Sequence, residues 1–238
     1  MARVSQISHE EHHRRLVRRL SAEVKPIPRL WPVSMRLVFW MVLEVGILAW
    51  AMSHTSNHFV QKLTRPVYVI EIVFFVAAAI ISALLALRSA IPGRTLSAGQ
   101  ATLAAALVLA ATIVLTLAVP MDTADQLGNF TRIGLRCAFT TVMFATLPWL
   151  ALWWLVRRGA PLSGGRSGLF VGAGSLLFSF AVMRIVCPID DPLHLLVWHL
   201  LPAIAVIGLS TLAGAVWLRF RPRTRPPTTD RSSPLFPL

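Results

Sequence analysis

Charge is scarce in this chain: only 14% of its 238 residues are Asp, Glu, Lys or Arg, where soluble domains carry roughly 25%. Acids are rarer still, 10 against 23 Lys and Arg. Cysteine occurs twice, as Cys137 and Cys187, and never as Cys-x-x-Cys. There is no phosphate loop, no Ser-His-Asp arrangement and no His-Glu-x-x-His helix, and the loops are too short to hold an inserted catalytic domain. Nothing in the sequence therefore points to an enzyme. Amphipathic outer helices are also missing from the body of the chain, and a soluble protein would need them to cover a core this apolar. No small-residue cleavage site lies near the first apolar window, which follows the charged residues 1–34, so the start does not read as a secretory signal peptide.

What the chain has in abundance is apolar length. Hydrophobic residues make up 55% of it, and its mean hydropathy is +0.66. Six windows, at about 35–52, 67–87, 96–119, 133–156, 168–187 and 193–218, approach or exceed the roughly 20 residues that cross a hydrocarbon core about 30 Å thick. The expected fold is an all-α integral membrane protein, a six-helix transmembrane bundle over 35–218. An N-terminal arm (1–34) precedes it. A basic tail (219–238) follows, whose Pro, Arg, Ser and Thr content predicts disorder.

The net charge of +13 is unevenly placed. Eight Lys and Arg lie in 1–36, Arg88 and Arg94 follow window two, Arg157, Arg158 and Arg166 follow window four, and five more run from Arg219 onward. The opposite side holds only Lys62, Arg65, Arg132, Arg136 and Arg184, together with Asp122, Asp125, Asp190 and Asp191. The positive-inside rule then predicts both termini in the cytoplasm. The basic surplus reads as topology and contact with anionic membrane lipid, with no direct nucleic-acid binding expected.

Within the arm, Leu16, Val17, Leu20 and Val24 recur at helical spacing, Ser8 with Glu11 makes a capping box, and Pro26 and Pro28 end the segment. A short amphipathic helix is expected. Its four arginines suit a membrane surface, its charge suits topology, and its apolar stripe suits a protein partner.

The two thiols share a depth. Cys137 to 156 and 168 to Cys187 each span 19 residues, about 28 Å of helix at 1.5 Å per residue. Both cysteines thus fall near the outer, oxidising face on consecutive antiparallel helices, a candidate pair for reversible bonding or joint metal capture. Packing as small hydrophobes is the plain alternative. Arg184, three residues before Cys187, is expected on its face as a tuner of the thiol, and Arg136 adjoins Cys137. The stretch from Cys187 to His194, with Asp190 and Asp191 between, offers ligand types for zinc, cadmium or copper, and His54 and His58 are further candidates. Asp-Asp-Pro is equally an ordinary helix start. Glu44 falls at mid-membrane, where an ionisable group is a functional candidate by default. The small residues of 171–175 and 210–215 predict close helix packing.

Several segments carry a family resemblance. They are Leu16-Val-Arg-Arg-Leu-Ser-Ala-Glu-Val-Lys-Pro-Ile-Pro28, Arg65-Pro-Val-Tyr-Val-Ile-Glu71 and Ala90-Ile-Pro-Gly-Arg94. In the second half they are Cys137, Pro148, Leu155-Val-Arg-Arg-Gly-Ala-Pro161 and Cys187-Pro-Ile-Asp-Asp-Pro-Leu-His194 with Trp198. Over nearly its whole length the chain resembles the NrsF family of bacterial inner-membrane proteins, named as negative regulators of sigma F. The resemblance implies a six-span anti-sigma factor for an extracytoplasmic-function sigma factor. The arm, through Leu16, Leu20 and Val24, would hold that factor. Cys137 and Cys187 match the family's cysteine pair, linked to sensing of heavy metals or oxidants. No cofactor is implied beyond transient heavy-metal binding at Cys137 and Cys187. Two positions depart from the pattern: Val186 stands where His is expected, and His199 where Tyr follows the Trp. A membrane thiol–disulfide oxidoreductase and a small metal or solute transporter are the alternative classes.

Overall fold

The structure, a computed structural model, describes residues 11, 14–18, 21, 30–54, 58–91, 99, 102, 106, 127–159 and 161–218. It divides the chain into two units, Met1–Trp31 and Pro32–Leu238. In the first unit residues 14–18 are helical. Leu16 and Val17 are exposed there, and Glu11 pairs with Arg15 one turn on at 3.6 Å. Leu20 and Val24 lie outside the described residues, as do the tail 219–238 and nearly all of the 96–119 window.

The second unit is helical throughout its described elements. They are α1 (Val33–Ser53), a short α2 (His58–Lys62), α3 (Pro66–Ser89), α4 (Leu127–Arg157), α5 (Gly164–Val186) and α6 (Pro192–Leu195), the last leading through a π-helical turn (Leu196–Leu200) into α7 (Leu201–Trp217). Five helices are long and apolar enough to cross a membrane: α1, α3, α5, residues Phe130–Arg157 of α4, and the continuous Pro192–Trp217 segment. The polarity of the unit is inverted relative to a soluble domain. Val38, Phe39, Val42, Val73, Phe139 and Leu212 face outward, while Glu71, Arg184, Ser179 and His199 are buried. Apolar side chains outside and polar ones inside is the arrangement that hydrocarbon solvent selects. The chain is a multi-pass membrane protein.

Helix α5 is the axis of the bundle, buried along most of its length and packed against α3, α4 and α7. Its small residues permit this. A Cβ on Gly168 would run into the Ser210 carbonyl of α7, and one on Gly214 into the Gly164 carbonyl. Backbones can meet this closely only where side chains are absent. The Ser210 hydroxyl stitches the seam, donating to Gly168 O at 2.7 Å and accepting from Trp149 Nε1 at 2.9 Å. The small-residue runs expected to pack closely do so.

The hydrogen bonds between helices also fix their directions. At one face of the bundle Arg36 Nη1 donates to Leu155 O (3.4 Å) and Ser89 meets Ser167 (2.8 Å). Toward the other face the Tyr68 hydroxyl donates to Arg184 O (2.7 Å) and Ser179 Oγ to Thr141 O (2.5 Å). Helices α1 and α5 therefore start at the first face, and α3, α4 and α7 end there. Helix α4 starts at the second face, opposite to where α3 finishes.

A polar stripe runs down α1 at four-residue spacing: Arg36, Trp40 and Glu44 are all buried. Trp40 Nε1 donates to Pro148 O at 3.3 Å. Both Glu44 oxygens, together with Nε and Nη2 of Arg36, have no hydrogen-bond partner among the described residues.

Candidate functional site

Both cysteines lie toward the second face. Cys137 is on the first half of α4, and Cys187 follows the last residue of α5. The two sulfurs are 3.9 Å apart with no bond joining them. Cys187 is buried and Cys137 half-buried. Cys187 caps α5: its N–H still bonds to Met183 O at 2.7 Å, and its extended ψ of 123° (φ −75°) turns the chain that follows away from the helix. Its Sγ also lies 3.8 Å from Ile189 O and 3.7 Å from His194 Nε2.

Two imidazoles complete the cluster. Asp191 caps the next helix, its Oδ2 accepting from His194 N at 2.8 Å, which fixes His194 in the first turn over Cys187. His199 arrives by a different route. The Leu201 N–H bonds to Leu196 O, five residues back. Pro202 follows, with no N–H to offer the carbonyl of Trp198. Positions five apart on an α-helix are about 140° apart in direction, but the wider π turn brings His199 back toward His194, with ring centroids 5.3 Å apart. The ligand atoms of Cys137, Cys187, His194 and His199 all lie within 4.8 Å of one another. Phe130 and Phe180 wall the histidines edge-on, and the Trp198 indole fills the space that a side chain at Gly134 would need.

The proton on His199 can be placed. Thr141 Oγ1 donates its single proton to the Cys137 carbonyl at 2.8 Å, so it meets His199 Nδ1, 3.3 Å away, as an acceptor. Opposite that acceptor Nδ1 is the donor, and Nε2 is left as a buried lone pair with no hydrogen-bond partner among the described residues.

Beside the thiols sits an ion network in which the other expected site residues are engaged. Arg184 grips Glu71 through Nε (2.8 Å) and Nη2 (2.9 Å) and reaches Asp190 through Nη1 (3.0 Å). Lys62 Nζ donates to Asp190 (2.8 Å) and to the Cys187 carbonyl (3.0 Å). Arg65 adds a longer contact to Asp190 at 3.9 Å, and Tyr68 lies beneath both Arg184 and Lys62. Arg184, read from sequence as a thiol tuner, instead directs its guanidinium at two carboxylates. Asp190 and Asp191, read as ligand types, serve the ion network and the helix cap, and neither belongs to the thiol–imidazole cluster. His54 is held by Trp50 O and Ser53 on α1, and the side chain of His58 lies outside the described residues. Glu71, Lys62 and His199 are the members that sequence reasoning did not assign. For His199 a signal existed: Pro202, inside the apolar window 193–218, disturbs the helical register before it.

The model of a protein family described as "NrsF: Negative regulator of sigma F" matches residues 20–220. The chain belongs to the NrsF family. The match takes in the whole transmembrane unit as far as α7 and the second half of the arm. NrsF proteins are by description regulators, so the chain is a negative regulator of a sigma factor, with a sigma factor as its partner. No curated protein and no solved structure matches the chain. In this NrsF protein, the paired thiols and histidines form one cluster near the bundle face opposite that where α1 begins and α7 ends.

Proposed function

We propose that this NrsF protein is a membrane-bound anti-sigma factor for an extracytoplasmic-function sigma factor. It sequesters the factor through Leu16, Leu20 and Val24 of its arm and releases it when Cys137 and Cys187 react. The observation that carries the reading is the position of the two sulfurs, 3.9 Å apart near one face of the bundle, while α1 begins and α7 ends at the other.

Six spans with both termini in the cytoplasm fit the helix directions. Because α4 starts opposite to where α3 ends, a further crossing by the apolar window 96–119 would complete the bundle and set the thiols on the periplasmic side of the inner membrane. The arm supplies an exposed apolar pair in Leu16 and Val17, the kind of stripe a groove on a partner takes up. A peroxide-class oxidant would convert the two thiols to a disulfide, removing two hydrogens and leaving alcohol and water. A soft metal would instead bridge the two sulfurs. Either event draws the start of α4 toward the end of α5. Because α5 packs against α3, α4 and α7, a shift there reaches the opposite face.

Deletion of residues 1–28 tests the reading. The truncated protein is expected to remain in the membrane while transcription of the sigma regulon becomes constitutive. Transcription that stays repressed after the deletion overturns the assignment of the arm.

A further inference from the structure

We propose that Cys137, Cys187, His194 and His199 form a four-coordinate Cys2His2 site for a divalent cation of the zinc–cadmium class. The inference rests on the reading of the thiol pair as the sensor and deepens it. The natural ligand of this sensor becomes a metal held by all four residues rather than by sulfur alone.

Size decides the first point. With metal–sulfur bonds of about 2.3 Å and metal–nitrogen bonds of about 2.0–2.1 Å at tetrahedral angles, sulfur lies about 3.8 Å from sulfur and about 3.6 Å from nitrogen. The structure has 3.9 Å between Cys137 Sγ and Cys187 Sγ, and 3.7 Å between Cys187 Sγ and His194 Nε2. A contraction of about 0.1 Å brings each of those two edges to the tetrahedral value. All four ligand atoms lie within 4.8 Å of one another, so they converge on one point.

The donor set is the second point. Two thiols and two imidazoles suit zinc and cadmium, and among the described residues no carboxylate joins the cluster to favour calcium or magnesium. Binding forms two metal–sulfur and two metal–nitrogen bonds and releases both thiol protons to solvent. The two thiolates then cancel the charge of the dication, so the burial of Cys187, His194 and His199 imposes no net charge on the site.

His199 is the third and most telling point. His199 is 1% exposed, and Nε2 has no hydrogen-bond partner among the described residues, although a buried lone pair without a partner is costly. Thr141 fixes the tautomer that leaves this nitrogen bare, in the way that an outer hydrogen bond orients metal-ligating histidine. Moreover, a π turn is what brings the residue to the cluster, a distortion that occurs frequently at functional sites.

The test uses the full-length protein in detergent, reduced with a phosphine and loaded with Zn2+. X-ray absorption at the zinc edge is expected to show one ion per chain with two sulfurs near 2.3 Å and two nitrogens near 2.0–2.1 Å. His199→Gln is expected to lower zinc affinity by at least about tenfold, since loss of an outer partner alone removes that much. Failure to retain zinc overturns the proposal, and so does a shell with two sulfurs and no imidazole. Unchanged affinity in His199→Gln removes that residue from the site. Should the variant not fold, the spectrum of the unaltered protein still decides. Failure of the anti-sigma reading would be seen in transcription after deletion of the arm, which involves no metal.

Discussion

Arg184 and Glu71 meet through two near-parallel hydrogen bonds of 2.8 and 2.9 Å with both side chains buried, joining the end of α5 to the first turns of α3. A guanidinium and a carboxylate inside a bundle are stable only as a pair, because each alone would be an uncompensated charge. The same Arg184 also reaches Asp190, and Lys62 ties Asp190 to the Cys187 carbonyl. The loop that carries Cys187 is thus anchored to α2 and α3 by charge. This holds the thiol in place without using it.

Removing one member of the Arg184–Glu71 pair should be worse than removing both. Glu71→Leu is expected to destabilise the bundle by about 3–5 kcal/mol, the usual consequence of breaking a buried ion pair. Adding Arg184→Met should recover a substantial part of that loss, leaving Asp190 to Lys62. Thermal unfolding of the purified variants in one detergent measures both. A double variant as unstable as the sum of its parts would mean that the two residues do not act as a pair.

Glycine substitutions should separate by location. Gly168→Ala drives a Cβ into the Ser210 carbonyl and should destabilise the α5–α7 seam, with a measurably lower Tm. Among the described residues nothing lies within 4 Å of a Cβ built at Gly46 or Gly208. Alanine there should leave stability unchanged or raise it by about 0.5–1 kcal/mol through the stiffer backbone. Equal effects at the three positions would contradict the close approach of α5 and α7.

Glu44 offers a contrast to Glu71. Its oxygens have no hydrogen-bond partner among the described residues, so an isosteric amide loses no ion pair. Glu44→Gln is expected to be neutral or mildly stabilising, and to leave repression intact. A loss of stability comparable with that of Glu71→Leu would show that the carboxylate has a charged partner.

Much of the architecture was legible because membrane solvent imposes simple rules. A run of apolar residues sets a span, so five of the six windows correspond to helices, and small residues in 171–175 and 210–215 mark the seam at Ser210 and Gly214. The proximity of Cys137 and Cys187 followed from counting residues along two antiparallel helices. What failed to show is where regular helix geometry stops. Arg184 and Cys187 are three residues apart on α5, yet the chain turns after Cys187 and brings Asp190 back to the guanidinium, which pairs with it and with Glu71. His199 is five residues from His194 and on a different α-helical face, until the π turn brings it round. The partners of Glu71 come from α5 and could not be read from α3. The role of Asp190, in a loop, had no periodicity to reveal it.

Cys137→Ser should separate sensing from sequestration. Substituting one thiol removes both the disulfide and the two-sulfur metal site, while the arm is untouched. Basal transcription of the sigma regulon should therefore stay low, and induction by cadmium or by a thiol oxidant should vanish. Induction that persists in Cys137→Ser would place the sensor elsewhere in the chain.

The most direct measurement of the whole account is the amount of sigma factor that sediments with membranes before and after exposure to cadmium or a thiol oxidant. With the intact protein, the factor should sediment with membranes at rest and move to the soluble fraction on exposure. With Cys137→Ser it should remain membrane-bound throughout. A factor that is soluble at rest, or that is released equally from the cysteine variant, would contradict the coupling of the thiol pair to the arm.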